Sequence, residues 1–316
     1  MKDTLSKIVS NYNISGKFWR MRFETGWRDY APGQFVMLQV PGNKAFLRRP
    51  FSIARMKGGV VEICYKVIGA GTEAMCALKV GEEVNVLGPL GNGFQISNVV
   101  AELALPKCVA QTFRSANSGR SKDLRYKVGR ASSATTLKLL VAGGYGVAPL
   151  LGLAERICSG TLHLSAGSLA EGSTDSVHLF YGAKTKNELL YLDEFKELGI
   201  EFHIVTEDGS AGEKGLVTDI LQRFLRTTNP ERRTTLFACG PHGMLQRVAQ
   251  DFSPAKRIGR TKVLRYESGL DCQLSLESYM GCGYGVCMGC AVKLANGEYA
   301  RVCKEGPVFD ARQLDM

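Results

Sequence analysis

Four cysteines near the C-terminus constrain this chain more than any other feature: Cys282, Cys287 and Cys290 in the run Met280-Gly-Cys-Gly-Tyr-Gly-Val-Cys-Met-Gly-Cys-Ala, and Cys303 in Arg301-Val-Cys-Lys. The first three have C-x4-C-x2-C spacing, a pattern in which thiolates hold a [2Fe–2S] cluster. Glycines at 281, 283, 285 and 289 suit a loop wrapped around such a centre, which needs positive φ angles and uncovered N–H groups near the sulfides. A structural zinc also takes four thiolates, but zinc sites usually come as two short C-x2-C knuckles, and one such pair is present. The expectation is a one-electron carrier.

Six further cysteines (Cys64, Cys76, Cys108, Cys158, Cys239, Cys272) are scattered singly and read as reduced thiols, which places the chain in a reducing cytoplasm. The 316 residues suffice for two or three domains, and 45% apolar with 22% charged residues is ordinary for a soluble globular protein. The first residues lack the apolar core of a secretory signal, and no apolar run reaches the roughly 18 residues of a membrane span. The net charge of +10 owes much to Lys107, Arg114, Arg120, Lys122, Arg125, Lys127 and Arg130. These sit among serines without interleaved aromatics, so a solvated loop is expected and nucleic acid is not; an acidic protein partner stays open.

Residues 1–97 read as a small antiparallel barrel, with short β-branched runs at Gln34-Phe-Val-Met-Leu-Gln-Val, Val60-Val-Glu-Ile-Cys-Tyr-Lys-Val and Glu83-Val-Asn-Val-Leu. Turn signals fall at Ala31-Pro-Gly, Lys57-Gly-Gly and Leu87-Gly-Pro-Leu-Gly-Asn-Gly, and a short helix opened by Thr72 is expected near Gly71. Residues 98–135 form a basic, serine-rich insertion or linker. Over 136–258 strands alternate with helices, which implies a parallel sheet covered on both faces. Within it an exposed loop is expected over 159–176 and helices over Glu188–Leu198, Val217–Leu225 and Met244–Gln250. Residues 259–316 form the cysteine-rich module. The fold class is therefore β plus α/β: an antiparallel barrel, a Rossmann-like parallel sheet and a small C-terminal [2Fe–2S] module.

Gly143-Gly-Tyr-Gly-Val-Ala-Pro lies where a buried strand gives way to a helix, a geometry that aims backbone N–H groups at a dinucleotide pyrophosphate. Cys239-Gly-Pro-His-Gly-Met-Leu follows another strand, and the two turns are expected to flank one nicotinamide dinucleotide. Cys239 reads equally as a thiol against the nicotinamide or as a small buried thiol. In the barrel, Arg48-Arg-Pro-Phe-Ser-Ile-Ala gathers a guanidinium, an aromatic and a hydroxyl, and Tyr65-Lys-Val-Ile-Gly-Ala-Gly-Thr leads a strand into a glycine turn; arginine and a helix N-terminus both hold pyrophosphate.

In this order, Arg49-Pro-Phe-Ser, Gly69-Ala-Gly-Thr, Leu87-Gly-Pro-Leu-Gly-Asn-Gly-Phe, the two strand-end turns and the cysteine run resemble a ferredoxin–NADP reductase-like flavoprotein. The ending Cys303-Lys-Glu-Gly-Pro-Val-Phe-Asp extends the likeness to the electron-transfer subunits of NAD-linked dihydroorotate dehydrogenases. The resemblance implies that Arg49, Pro50, Phe51 and Ser52 hold the flavin and ribityl-phosphate of FAD. It puts Tyr65 and Lys66 along the same cofactor and Gly71 with Thr72 over its pyrophosphate. It implies that Gly143, Gly144 and Gly146 receive the phosphates of NAD, with Cys239, Gly240 and Pro241 near the nicotinamide. Cys282, Cys287, Cys290 and Cys303 are the implied cluster ligands. Two departures bear on nicotinamide binding: Ala142 replaces a frequent glycine, and His242-Gly243 stand where an acidic residue and proline are more usual.

By that likeness, electrons come from an FMN-containing catalytic subunit in a heterotetramer that oxidises dihydroorotate in pyrimidine biosynthesis, and leave on NAD⁺. Flavin links one-electron and hydride chemistry, which makes the three motifs coherent. No catalytic acid–base residue is expected in this chain, and His163, His178 and His203 read as structural. Two alternatives stand beside this reading. One is a flavin–iron–sulfur subunit serving a sulfide- or ferredoxin-linked partner, with Lys184 and Lys186 available to a 2′-phosphate. The other is an interaction module built on a structural zinc.

Overall fold

The computed structural model describes residues 2–40, 46–96, 137–165, 176–227, 234–252 and 270–316. The basic stretch expected at 98–135 lies outside them. Strands β1 (Lys2–Ser15), β2 (Phe18–Glu24), β3 (Phe35–Gln39), β4 (Arg49–Lys57), β5 (Val60–Lys66) and β6 (Glu83–Leu90) close into an antiparallel barrel in the order β1-β2-β5-β4-β3-β6. Along β2, Met21 and Phe23 are fully buried while Arg20 and Arg22 alternate with them on the outside, the two-residue period of a half-buried strand. Helix α1 (Ala70–Cys76) caps one end of the barrel.

Two local expectations change here. The run from Leu87 is not all turn: β6 continues through Gly88 and Pro89 to Leu90, held by pairing of Gly88 with Lys2 of β1 and of Leu90 with Phe35 of β3. Residue 88 must be glycine because a side chain there would strike the ring of Trp27. Thr72 does not open α1. It sits buried in the first turn, where its hydroxyl accepts from Ile68 N (3.0 Å) and Gly69 N (3.3 Å), and Gly69 is the capping residue.

Strand β7 (Leu137–Gly143) enters a sheet with β8 (Ser176–Ala183), β9 (Glu201–Thr206), β10 (Glu213–Lys214), β11 (Thr234–Cys239), β12 (Leu270–Ser275) and, later, β15 (Val308–Asp310). The order is β10-β9-β8-β7-β11-β12-β15, parallel throughout except for β15. Helices α2 (Ala148–Ser165), α3 (Leu192–Glu197), α4 (Val217–Thr227) and α5 (His242–Phe252) accompany it. Chain order reverses between β7 and β11, the kind of point at which open α/β sheets bind ligands beyond their strand ends.

Three boundaries differ from those read in the sequence. Helix α2 runs on to Ser165, so the loop expected from Ser159 is helical for its first seven residues. The helix expected over Glu188–Leu198 is broken: a 3₁₀ turn covers Lys186–Glu188, and α3 starts only after Tyr191, which adopts a left-handed φ of 62°. The Tyr181 hydroxyl holds this break, accepting from Leu190 N (2.9 Å) and donating to Glu188 O (3.0 Å). Nor does the sheet end at residue 258. β12 pairs with β11, and β15 with β12, so the C-terminal module is stitched into the parallel sheet by its own first and last strands. Between them a two-stranded ribbon, β13 (Ala291–Lys293) and β14 (Tyr299–Arg301), supports the cysteine loop.

One buried cluster runs through all three parts, joining Phe35, Met37 and Leu90 of the barrel, Leu139, Val141 and Leu236 of the sheet, and Cys290, Val302 and Cys303 of the C-terminal module. Ion pairs add to the junction: Arg20 reaches Glu194 on α3 (2.7 Å), and Arg55 on β4 reaches Glu155 on α2 (3.4 Å). Among the described residues no helix is long and apolar enough to cross a membrane.

Candidate functional site

The carboxyl ends of β7 and β11 lie side by side, with Ala142 paired to Cys239. Their two turns then touch. A Cβ on Gly143 would come within 2.6 Å of Pro241 Cδ, one on Gly146 within 2.5 Å of Cys239 O, and one on Gly240 within 2.9 Å of Gly143 Cα. Glycine is therefore required by the approach of two backbones, and the turns expected to flank one dinucleotide are in contact. Gly144 has φ 54° and lets the chain leave β7 into a 3₁₀ turn (Gly144–Val147) before α2.

A cavity of about 430 Å³ opens at this point. Gly143, Gly144 and Pro241 line it, together with Lys66 from the barrel and Glu207 at the end of β9. Its size lies within the usual range for small-molecule sites, roughly 300–1,000 Å³. Lys66 does not simply follow the barrel strand: its ammonium pairs with Glu188 (3.3 Å) across the cleft and stands over the Phe18 ring. Lys184 also lines the cavity and is exposed. Cys239, Gly146 and Gly240 are buried and shape the floor without lining it. Burial, then the nearby Glu277 charge, pushes the Cys239 thiol well above its ordinary range, so it stays protonated. Cys239 is thus a buried, protonated thiol at the end of β11.

Two residues absent from the sequence reading stand over this floor. The Tyr145 hydroxyl donates to Glu277 Oε2 (2.9 Å), joining the β7 turn to the segment after β12. Glu277 is exposed at its outer edge, and desolvation by the surrounding protein raises its carboxyl above the usual carboxylate range. The only sequence signal for Glu277 is its place two residues beyond a buried strand end, which is too weak to single it out.

On the barrel, Arg49, Pro50, Phe51 and Ser52 run along β4 and are all half-buried. Phe51 meets Tyr65 edge-on (centroids 6.0 Å apart). Tyr65 itself departs from expectation. It is 2% exposed, its hydroxyl donates to Asn11 Oδ1 (2.9 Å) and its ring packs beside Trp19, so the side chain turns into the barrel and supports Phe51 from behind. The half-buried β4 run still offers an aromatic face, a hydroxyl and a guanidinium in series, and α1 with Gly71 in its first turn lies beyond β5. These residues fit a flavin dinucleotide.

The four clustered cysteines carry free thiols, Cys290 and Cys303 buried, Cys282 half-buried and Cys287 exposed. Gly283 (φ 80°) and Gly285 (φ 92°) supply the positive φ expected of the loop, while a Cβ on Gly281 would come within 3.3 Å of Cys287 Sγ and one on Gly289 would only touch it. Val286 N and Cys287 N donate to Cys282 Sγ (3.3 and 3.5 Å), and Cys303 N donates to Cys290 Sγ (3.4 Å). For Cys282, burial opposes ionisation, but the N–H groups of Cys287, Tyr284 and Val286 outweigh it and bring the thiol down to about 6. Burial first, then the adjacent Cys290, pushes Cys303 up to about 12. One thiolate forms readily and its neighbour resists a second negative charge. That is the behaviour of a donor set completed by a cationic centre.

The loop is docked, not free. A side chain on Gly283 would overlap Met37 of β3, Arg301 Nη1 donates to Gly285 O (2.7 Å), and Asn92 Nδ2 donates to Glu305 O (2.9 Å).

Comparisons with known proteins agree with this layout. Residues 277–315 match the iron–sulfur cluster binding domain of dihydroorotate dehydrogenase B, and residues 140–250 match the oxidoreductase NAD-binding domain. The chain is 30% identical to the electron transfer subunit of dihydroorotate dehydrogenase B (NAD(+)) of Caldanaerobacter subterraneus, over 98% of this chain and 97% of that one. It is 32% identical to the subunit of the same name from Fusobacterium nucleatum, again over 98% and 97%. Among solved structures it resembles an NADH-dependent reduced ferredoxin–NADP oxidoreductase (25% identity, TM-score 0.69, covering 99% of this chain and 90% of that one). In fold it also resembles a ferredoxin–NADP⁺ reductase of Neisseria gonorrhoeae with bound FAD and NADP (17% identity, TM-score 0.56, covering 87% and 100%).

Proposed function

The chain belongs to the family of electron transfer subunits of dihydroorotate dehydrogenase B, and from that premise we propose that it carries electrons from an FMN-containing subunit that oxidises dihydroorotate to NAD⁺. When bound, a two-iron cluster exchanges single electrons and FAD converts them to the pair that leaves as hydride. The chain's own residues then bind, orient and insulate. Cys282, Cys287, Cys290 and Cys303 hold the cluster, and the N–H groups of Val286, Cys287 and Cys303, which donate to the sulfurs of Cys282 and Cys290, tune it, since hydrogen bonds to sulfur set the potential. Arg49, Pro50, Phe51 and Ser52 hold the flavin end of FAD, with Gly71 and Thr72 at its pyrophosphate. Gly143 and Gly144 take the NAD phosphates at the cavity, and Pro241 bounds it on the far side. Glu207 at the cavity repels a 2′-phosphate, which favours NAD over NADP.

The observation that carries this reading is the buried cluster that runs from the barrel through the sheet to Cys290 and Cys303. A relay needs its stations at fixed separations, and a shared core supplies that without a hinge. A heterotetramer with the FMN subunit in the cytoplasm completes the proposal, in keeping with nine described cysteines that form no disulfide.

The test is reconstitution. Anaerobically prepared chain plus the FMN subunit is expected to reduce NAD⁺ at the expense of dihydroorotate, and chain carrying C303S is not. Iron and acid-labile sulfide missing from fully loaded material, or undiminished turnover with the variant, would overturn the reading.

A further inference from the structure

Away from the dinucleotide cleft, three residues that the relay does not use bring their donor atoms together. In the parallel register of β8 and β9, His178 pairs with Glu201 and Phe180 with His203, so all four side chains share one face of the sheet. His178 Nδ1 stands 3.2 Å from His203 Nε2 and 3.4 Å from Glu201 Oε2, while His203 Nε2 is 3.9 Å from Glu201 Oε1. One donor atom from each residue falls within 4.8 Å of the other two. The position is the amino end of both strands. Gly182, at the cleft, is four residues further along β8, or roughly 13 Å at ~3.3 Å per residue.

We propose that His178, Glu201 and His203 form a binding site for a divalent transition cation of the zinc class, coordinated through Nδ1, one carboxylate oxygen and Nε2.

Ligand type, spacing and mounting argue for this. Two imidazoles and one carboxylate are donors that zinc accepts, at about 2.0–2.2 Å each. Tetrahedral ligands at that radius stand about 3.3–3.5 Å apart. The His178–His203 separation (3.2 Å) and the His178–Glu201 Oε2 separation (3.4 Å) meet that spacing; His203 meets the other carboxylate oxygen, Oε1, at 3.9 Å, and a turn of the exposed carboxylate brings a single oxygen to both rings. The rings are also held in place. His203 stacks on Phe180 (4.3 Å between centroids, 8° between planes), and Phe224 of α4 packs against both histidines at 4.9 and 5.3 Å. Rigid rings lose little freedom on binding a metal, and an exposed Glu201 leaves a side open for entry and for a water as fourth ligand. The bound ion would pin β8 to β9 near the sheet edge closed only by the two-residue β10, and so serve structure, not electron flow.

The experiment uses full-length chain with its cluster loaded, dialysed anaerobically against micromolar Zn²⁺, with zinc and iron measured together. One zinc per chain is expected with iron unchanged. The zinc X-ray absorption shell should hold nitrogen and oxygen at about 2.0–2.1 Å without sulfur at about 2.3 Å. H203Q should abolish retention. E201Q changes only an exposed side chain, and should weaken binding by at least ~10-fold, the lower bound for loss even of a supporting group at a zinc site. No retained zinc, a sulfur shell, or equal binding by E201Q would overturn the site. None of these results bears on dihydroorotate-dependent turnover, so the two readings fail separately.

Discussion

Replacing Gly283 by alanine tests whether the cysteine loop is locked to the barrel. Two costs are visible. At φ 80° an L-residue bears about 1–2 kcal/mol of left-handed strain. The new Cβ would also overlap Met37 Cγ and lie 2.9 Å from its Sδ, and Met37 is fully buried with no room to withdraw; overpacking of that kind costs ~1–3 kcal/mol. The sum is about 2–5 kcal/mol. Gly297 provides the control, because its φ of 87° carries the same strain while its Cβ would meet nothing within 4 Å. G297A should therefore cost only about 1–2 kcal/mol. M37A alone costs ~2–5 kcal/mol as a cavity, but combined with G283A it removes the overlap. The double variant should then be more stable than the sum of the singles by about 1–3 kcal/mol. Urea midpoints at unchanged m-value, followed anaerobically by far-UV circular dichroism and cluster absorption, give all four numbers. If G283A costs no more than G297A, or if the cycle shows no coupling, the loop is not fixed by Met37 and the argument for a rigid relay loses its main contact.

C287S removes the exposed thiol of the proposed ligand set and should strip iron and visible charge-transfer absorption from the chain while leaving barrel and sheet folded, as metal analysis and circular dichroism will report. Glu305 is held down to about 2, chiefly by Arg301, so its contribution to stability is present above the ordinary carboxylate range and is lost only as pH falls toward 2. R301Q removes the guanidinium but not the backbone N–H bond of residue 301, so Glu305 rises toward its ordinary range, and it also frees Gly285 O; iron release during stepwise acidification should begin at a higher pH than in the parent. E207Q removes the carboxylate facing the cavity and should narrow the NADH-over-NADPH preference in kcat/KM about tenfold, equivalent to ~1.4 kcal/mol of relieved repulsion; an unchanged ratio would place the ribose elsewhere.

What could be read from the sequence is what chemistry restricts most tightly. A cluster dictates cysteine spacing and glycine φ, and two touching turns admit only glycine, so Cys282 to Cys303 and Gly143 to Gly146 announce themselves. The barrel's first two strands do not. β1 carries Lys2, Asp3, Lys7 and Asn13 exposed, and its Asn11 turns inward to Tyr65, so no clean alternation marks the strand, and only the Gly16 turn between it and β2 marks the hairpin. Side-chain direction is also invisible from spacing. Tyr65 and Lys66 are neighbours, yet the pleat sends the first into the barrel and the second across the cleft to Glu188. Tyr145 and Glu277 lie 132 residues apart and are brought together by pairing of β7 and β12 with β11.

The same limit explains the misplaced boundary at residue 258, and its correction has a functional consequence. A cysteine-rich segment buries little apolar surface, and a two-stranded ribbon is marginal alone. By lending β12 and β15 to the parallel sheet, the segment acquires Leu274 and Phe309 as core residues and places its loop between the sheet and β3. The thiol loop is thus anchored at both ends to the sheet whose strand ends form the cavity, and along its middle to the barrel through Met37 and Asn92. Loosening either attachment shifts the cysteines relative to both clefts at once. Stability and electron transfer should therefore fail together in variants at these contacts, whereas substitutions lining only the cavity, such as E207Q, should alter nicotinamide choice and leave the cluster intact.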